Sequence, residues 1–139
     1  MLVLDASAAV AMVLDTPEGR ALRELVLKGE RTGAPRLFCV EVTNALWKYA
    51  NAGVIDSASA KALTKAALSL IDEFYGEHDL AVEVLAEALR LRHSTNDIFY
   101  LVLARRLDAT LFTLDKKLRA LCEETGVEYV RGIRLAEGG

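Results

Sequence analysis

Short apolar runs alternate with longer segments of helical periodicity along this chain, and that alternation limits the possible folds more than any other feature. A short apolar run predicts a strand, and apolar residues that recur every three or four positions predict a helix. The predicted strands are residues 1–4, 31–34, 73–75, 110–114 and 127–130, and the predicted helices are 8–29 with a break near Pro17, 36–51, 58–72, 80–92, 96–107 and 116–125. Strands that alternate with helices form a parallel sheet covered on both faces. We therefore predict an α/β fold, a three-layer sandwich around a parallel sheet of about five strands.

The length of 139 residues is typical of one domain, and the composition, 53% hydrophobic and 27% charged, is ordinary for a globular protein. We expect a single domain over residues 1–135 and a flexible tail over 136–139, which ends in two glycines. No apolar run approaches the roughly 18 residues that a membrane helix requires. The first predicted strand begins at Met1 and leaves no room for a signal peptide. We therefore expect a cytoplasmic protein with no membrane association.

Composition and motifs argue against several functional classes. The net charge of −3 disfavours a generally basic nucleic-acid-binding protein, although a basic rim around an acidic pocket would barely change the total. His78 and His93 are interpreted as surface or loop residues, which leaves little support for a Ser–His–Asp hydrolase. No GxxxxGK[ST] or GxGxxG motif occurs, which disfavours nucleotide-binding α/β folds. Cys39 and Cys122 stand alone among apolar neighbours and are expected to be reduced core residues.

Two of the predicted strands end on an aspartate. MLVLDAS carries an apolar run into Asp5, and TLFTLDKKL carries another into Asp115. Ligands of open α/β folds bind beyond the carboxyl ends of the strands, so both aspartates are candidate site residues. Asp115 has a second interpretation, as the N-cap of the helix that begins at Lys116.

The predicted helix LFCVEVTNALWKYAN carries a narrow polar stripe on an otherwise apolar surface. Glu41, Asn44, Lys48 and Asn51 follow each other at spacings of three, four and three, which places them on one side of the helix. Such a stripe faces either solvent or a polar cavity, because an unpaired buried charge is costly. Spacing alone leaves both interpretations open.

Asp97 opens a helix whose next seven residues, Ile98 to Ala104, are all apolar or aromatic. The acid therefore lies where the helix enters the core. An acid in the first turn complements the helix dipole, which is a purely structural explanation. Ser94 or Thr95 can already serve as the N-cap, however, so capping does not require Asp97.

Carboxylates gathered at one end of a sheet repel each other unless a cation joins them. Asp5, Glu41, Asp97 and Asp115 would together form a set of hard oxygen ligands, which suits magnesium or manganese. Carboxylate ligands with open water positions suit metal-assisted attack on a phosphodiester. The sequence therefore predicts a divalent-metal site.

The motifs VLDAS, E-x-x-NAL, ND-x-x-Y and TLD-x-x-L follow one another in the order seen in PIN-domain nucleases, and the chain resembles this family from Leu2 to about Val130. It is most similar to the toxin subunits of VapBC toxin–antitoxin systems. The resemblance implies that the four acids bind Mg²⁺ or Mn²⁺ and activate water to cut RNA. It further implies a PIN-like fold and supporting roles for Ser7, Asn44 and Thr113. Ile98 departs from the smaller residue that often follows the third acid.

The resemblance also implies partners. An RNA substrate, a cognate antitoxin protein and a second copy of the chain in a homodimer are expected. Lys116 and Lys117 begin a helix at the predicted pocket rim, where they and the backbone N–H groups could contact an RNA phosphate. Alternatively, both lysines are simply solvated.

Two other functions remain as alternatives to a metal-dependent endoribonuclease acting as the toxin of a type II pair. A non-catalytic PIN-like domain would bind RNA or protein, but a scaffold has no use for four mutually repelling carboxylates. A phosphotransferase or phosphatase that forms a phosphoaspartate would require a second acid beside Asp5 or two residues after it. The sequence has Ala6 and Ser7 there.

Overall fold

The computed structural model describes residues 1–26 and 29–131, which form strands and helices in alternation. The strands are β1 (Leu2–Leu4), β2 (Thr32–Pro35), β3 (Glu73–Tyr75) and β4 (Thr110–Phe112). The helices are α1 (Ala6–Val13), α2 (Pro17–Val26), α3 (Leu37–Asn51), α4 (Ser57–Ser69), α5 (Ala81–Leu91), α6 (Thr95–Leu107) and α7 (Lys116–Thr125), with a 3₁₀ turn at Glu77–Asp79. No described helix is long and apolar enough to cross a membrane.

The strands form one parallel sheet in the order β3-β2-β1-β4, which confirms the predicted α/β fold. The strand count is lower than predicted. Within the described residues, the segment 127–130 makes a single bridge, between Tyr129 and Leu111, in place of a fifth strand. Two backbone hydrogen bonds, from Leu111 to Glu128 and from Val130 to Leu111, hold it to the outer edge of β4, and these are too few to make a strand.

Helices cover both faces of the sheet, so the three-layer arrangement is also as predicted. Successive side chains of a strand point to opposite faces. Leu2 and Leu4 of β1 pack in a buried cluster with residues of α1 to α4, whereas Val3 packs in a second cluster with residues of α5, α6 and α7. The sheet therefore separates two apolar cores.

The predicted helix over residues 8–29 is two helices, as the break near Pro17 suggested. Pro17 is the first residue of α2, a position where its missing N–H leaves no intrahelical bond unmade. Gly19 allows α1 and α2 to pack closely, because a Cβ there would lie 2.0 Å from the carbonyl oxygen of Ala11. Cys39 and Cys122 are both free thiols, but Cys39 is half-exposed, so only Cys122 is a core residue.

The order of the strands determines where a site can form. β1 lies inside the sheet between β2 and β4. The helix after β2, α3, packs in one apolar cluster, and the helix after β4, α7, packs in the other. The carboxyl ends of β1 and β4 therefore lie side by side, and the Asp5 N–H donates to the Phe112 carbonyl over 3.0 Å. A crevice at such an edge is the usual binding position in open α/β folds.

Candidate active site

A cleft of about 1080 Å³ opens at the carboxyl ends of β1 and β4. α1, α3 and the start of α7 form its walls, and the loop after α1 closes one end. The predicted site residues that line it are Ser7, Glu41, Asn44, Asp115, Lys116 and Lys117. Its floor is mostly apolar, with Val10, Ala11, Leu14, Ala45, Tyr49, Val54 and Leu114 among the lining side chains. The cleft thus combines charged side chains with a mostly apolar lining.

Asp5 lies beneath this cleft and is almost inaccessible, at 5% exposure. It is the N-cap of α1, since its Oδ1 accepts from the Ala8 N–H at 2.9 Å. The same oxygen accepts from the Ser7 hydroxyl at 2.7 Å, and the Thr113 hydroxyl donates to Oδ2. The pKa of Asp5 is raised to about 7. Burial is the largest cause, the three donors lower the pKa, and the negative charge of Asp115 raises it.

The two hydroxyls that hold Asp5 also hold the end of β4. Ser7 Oγ accepts from the Leu114 N–H at 3.0 Å, and Thr113 Oγ1 accepts from the Asp115 N–H at 3.0 Å. The predicted supporting residues Ser7 and Thr113 thus lie between the first acid and the fourth. They orient Asp5 and the backbone that carries Asp115 as one unit.

Glu41 lies on the wall of the cleft formed by α3. The Tyr100 hydroxyl, which comes from α6, donates to Glu41 Oε1 at 2.6 Å. Burial raises the pKa of Glu41, the bond from Tyr100 lowers it, and the charges of Asp97 and Asp115 raise it. Asn44, one turn further along α3, is exposed and lines the same wall.

The polar stripe of α3 therefore faces the cleft over most of its length. Glu41, Asn44 and Lys48 line it, while Asn51 does not belong to the lining. Of the two interpretations left open by the spacing, a polar cavity applies to the first three residues and a solvated edge to the last.

Asp97 stands at the first turn of α6, with its side chain 22% exposed. Burial raises the pKa of Asp97, as does the charge of Asp115, whereas the charges of His93 and Lys117 lower it. His93 Nε2 lies 3.7 Å from Asp97 Oδ2, and the His93 side chain is only 19% exposed. His93 lies in the loop between α5 and α6, as predicted, but the prediction did not include its contact with Asp97. Ile98 is fully buried behind Asp97.

Asp115 lines the cleft and also caps a helix. It is the N-cap of α7, with its Oδ1 accepting from the Lys117 N–H at 2.8 Å. Its charge also raises the pKa values of Asp5, Glu41 and Asp97. The N-cap bond uses one carboxylate oxygen of Asp115, and its negative charge still acts on the other acids. The interpretations of Asp115 as an N-cap and as a candidate site residue are therefore compatible.

The donor chemistry of these residues fits a hydrated divalent cation. Within residues 1–26 and 29–131, no group of three or more His, Cys, Asp or Glu side chains is arranged closely enough to enclose a metal ion. Magnesium, however, usually keeps several waters and is held by one or two carboxylates rather than by a closed cage. Carboxylates whose pKa values are raised by burial and mutual repulsion, beside an open cleft, suit that mode of binding.

Sequence reasoning did not assign Tyr100 to the site. Tyr100 is 2% exposed and lies in the apolar run that opens α6, where a core role is the ordinary expectation. Its position in the motif ND-x-x-Y was the available signal. His78, by contrast, is exposed as expected.

Comparison with known proteins gives consistent results. Residues 2–124 match the family model of the PIN domain. The chain is 35% identical over 118 residues to Ribonuclease VapC12 of Mycobacterium tuberculosis, a match that covers 85% of this chain and 89% of that protein. It is 32% identical over 124 residues to Ribonuclease VapC3 of Pyrobaculum aerophilum, covering 84% and 91%. The crystal structure of PAE2754 from Pyrobaculum aerophilum superposes with a TM-score of 0.71 at 27% identity, covering 92% of this chain and 81% of that one.

Proposed function

The chain belongs to the PIN-domain family, among its VapC-type members, and from this we propose that it is a divalent-metal-dependent endoribonuclease that hydrolyses RNA phosphodiester bonds. The observation that carries the proposal is the position of Asp115, which lines one open cleft together with Glu41 and whose charge acts on Glu41, on the buried Asp5 and on Asp97. Repulsion among these carboxylates lowers the stability of the fold, and a bound cation would reduce that repulsion.

One or two of the carboxylates of Asp5, Glu41, Asp97 and Asp115 would bind Mg²⁺ or Mn²⁺ directly, and the others would bind the waters of the ion. When bound, such an ion stabilises charge on a phosphate and lowers the pKa of water. Ser7 and Thr113 hold the Asp5 carboxylate in one orientation, and α7 holds Asp115 through the Lys117 N–H. In the metal-free protein the Asp5 carboxyl can gain or lose a proton near neutral pH, since burial raises its pKa to about 7.

We propose that unpaired RNA occupies the cleft. Lys48, Lys116 and Lys117 lie on its rim and match the negative charge of phosphates, and Tyr49 offers an aromatic side chain to a base. The backbone N–H groups at the start of α7 add to this positive rim. On α3, Asn44 lies between Glu41 and Lys48, where its amide can support a water or a phosphate oxygen.

We further propose that the protein is the toxin of a type II toxin–antitoxin pair. The mostly apolar floor of the cleft suits a C-terminal segment of a cognate antitoxin, with a basic side chain near the acids. Such a segment would exclude RNA from the acids and so block cleavage.

A homodimer and a cytoplasmic location complete the proposal. The apolar side chains of Val82, Leu85 and Leu89 on α5 are exposed, at 84%, 56% and 71%, and suit a contact between two copies. The free thiols of Cys39 and Cys122 suit a reducing compartment. One domain over residues 1–135 with a tail over 136–139 remains part of the proposal, although residues 132–139 lie outside the described structure.

The experiment that tests the proposed activity uses a labelled single-stranded RNA with magnesium or with chelator. Wild type should cleave only with the metal, and a folded Asp97→Asn variant should not cleave. Asp108→Asn is the matched control, because Asp108 is exposed at the opposite end of α6. Full activity of Asp97→Asn would refute the assignment, and RNA binding without cleavage by wild type would favour the non-catalytic alternative.

A further inference from the structure

Tyr100 joins α6 to α3 through its hydroxyl group. Its ring is buried at 2% exposure in α6, and its O–H donates to Glu41 Oε1 of α3 at 2.6 Å. The hydrogen bond therefore connects the buried helix α6 to the wall of the cleft that carries Glu41.

We propose that Tyr100 is a positioning residue, which fixes the Glu41 carboxylate in the orientation that binds a divalent cation. The proposal rests on the proposed function, because it takes the acids to be the metal site. A glutamate has a flexible side chain, and ordering it on binding costs free energy. A buried donor on a rigid helix orders the glutamate side chain when the protein folds, so that metal binding does not have to order it. Hydrogen-bonded neighbours of metal ligands commonly have this effect.

Two of the other three acids, Asp5 and Asp115, have hydrogen-bond donors of their own. Ser7 and Thr113 hold Asp5, and the Lys117 N–H holds Asp115. Within the described residues, Tyr100 supplies the hydrogen bond that orients Glu41. Removing the hydroxyl would leave the Glu41 side chain free to rotate in the cleft wall.

Tyr100 contributes through the hydrogen bond that its hydroxyl donates to Glu41. Its ring is buried, and Tyr100 is not among the residues that line the cleft. Its contribution is therefore to orient Glu41 and not to contact the substrate.

The first test measures Mn²⁺ binding in the absence of RNA by electron paramagnetic resonance. Tyr100→Phe should raise the half-saturating Mn²⁺ concentration about 10-fold, the lower end of the effect of losing a neighbour of a metal ligand. Tyr75→Phe is the matched control, because it removes a hydroxyl that donates to Glu73 at 3.1 Å, and neither residue lines the cleft. It should bind Mn²⁺ like wild type. Wild-type protein that binds no Mn²⁺ would refute the proposed metal site. Equal binding by wild type and Tyr100→Phe would refute the positioning role alone.

A double-mutant cycle separates positioning from a merely structural role. If Tyr100 acts through Glu41, adding Tyr100→Phe to Glu41→Gln should change Mn²⁺ affinity little. A further loss as large as the one in the wild-type background would contradict the proposal.

A measurement that keeps Tyr100 in place covers the case in which Tyr100→Phe does not fold. In protein labelled with carbon-13 at the tyrosine phenol, Glu41→Gln should identify the Tyr100 signal by shifting it. Added magnesium should shift that signal in wild type and leave the signal of Tyr75 unchanged. A Tyr100 signal that magnesium does not move would overturn the proposal.

Discussion

The hydroxyl of Thr113 donates to the carboxylate of Asp5, a residue 108 positions away in sequence. The bond connects the residues that follow β4 and β1 at the carboxyl ends of these strands. Its acceptor is a carboxylate that is almost inaccessible to water. Asp5 is therefore held firmly yet is costly to ionise. That combination suggests how the metal-free and metal-bound forms of the protein should differ.

The stability of the metal-free protein should depend on pH through Asp5. Its pKa is about 7 in the folded chain, against an ordinary value of 3.8. Because the folded pKa is the higher one, this contribution to stability is fully present below pH 3.8 and is lost as pH rises through 7. Relative to wild type, Asp5→Asn should therefore gain stability as pH rises from about 4 to about 7, by roughly 1 kcal/mol or more, and the margin should level off at higher pH. Urea denaturation in chelator measures it, and a margin that stays constant with pH would contradict the prediction.

Magnesium should stabilise wild type more than variants that lack one acid. A ligand that binds only the folded state raises the melting temperature, by roughly 3 °C for each kcal/mol of stabilisation in a chain of this size. Asp5→Asn and Asp97→Asn should gain much less, while the exposed control Asp108→Asn should gain as much as wild type. Melting curves in chelator and in magnesium decide the matter, and equal shifts in all four proteins would rule out a shared site.

Substitutions at Asp115 should separate its effect on stability as an N-cap from the effect of its charge on metal binding. Asn is as good an N-cap as Asp, so Asp115→Asn should keep the bond to the Lys117 N–H and most of the stability. Asp115→Ala should lose about 1 kcal/mol, the usual effect of removing a cap. Both variants should lose Mn²⁺ affinity, which isothermal titration calorimetry measures. If Asp115→Asn binds Mn²⁺ as tightly as wild type, Asp115 serves only as a cap.

Lys117 should contribute to RNA binding through charge alone. Neutralising one contact to a single-stranded phosphate reduces the slope of log affinity against log salt by about 0.7. Lys117→Ala should show that reduction in chelator, where no RNA is cut, and Lys65→Ala, an exposed lysine of α4 outside the cleft, should not. Fluorescence anisotropy of a labelled RNA measures both slopes, and an unchanged slope for Lys117→Ala would support the solvated interpretation.

The sequence by itself determined the α/β class, the parallel sheet and the positions of the acids along the chain. These follow from patterns that extend over only a few residues. Apolar runs before Asp5 and Asp115 predict two strands that end on an acid, and helical spacing places Glu41 and Asn44 on one side of α3. The N-cap role of Asp115 is equally local, because it depends on the backbone N–H two residues later.

Only the tertiary structure decided how deeply each acid is buried and what holds it. The segment 127–130 has the composition of a strand but reaches β4 through a single bridge. Tyr100 lies in a run of apolar residues, and helical periodicity cannot tell which member of a buried helix meets Glu41. His93 is a loop residue, as its sequence context predicts, but only the fold shows that its ring lies beside Asp97. The physical reason is that backbone conformation depends mainly on near neighbours, whereas burial and hydrogen-bond partners depend on the packing of segments far apart in the chain.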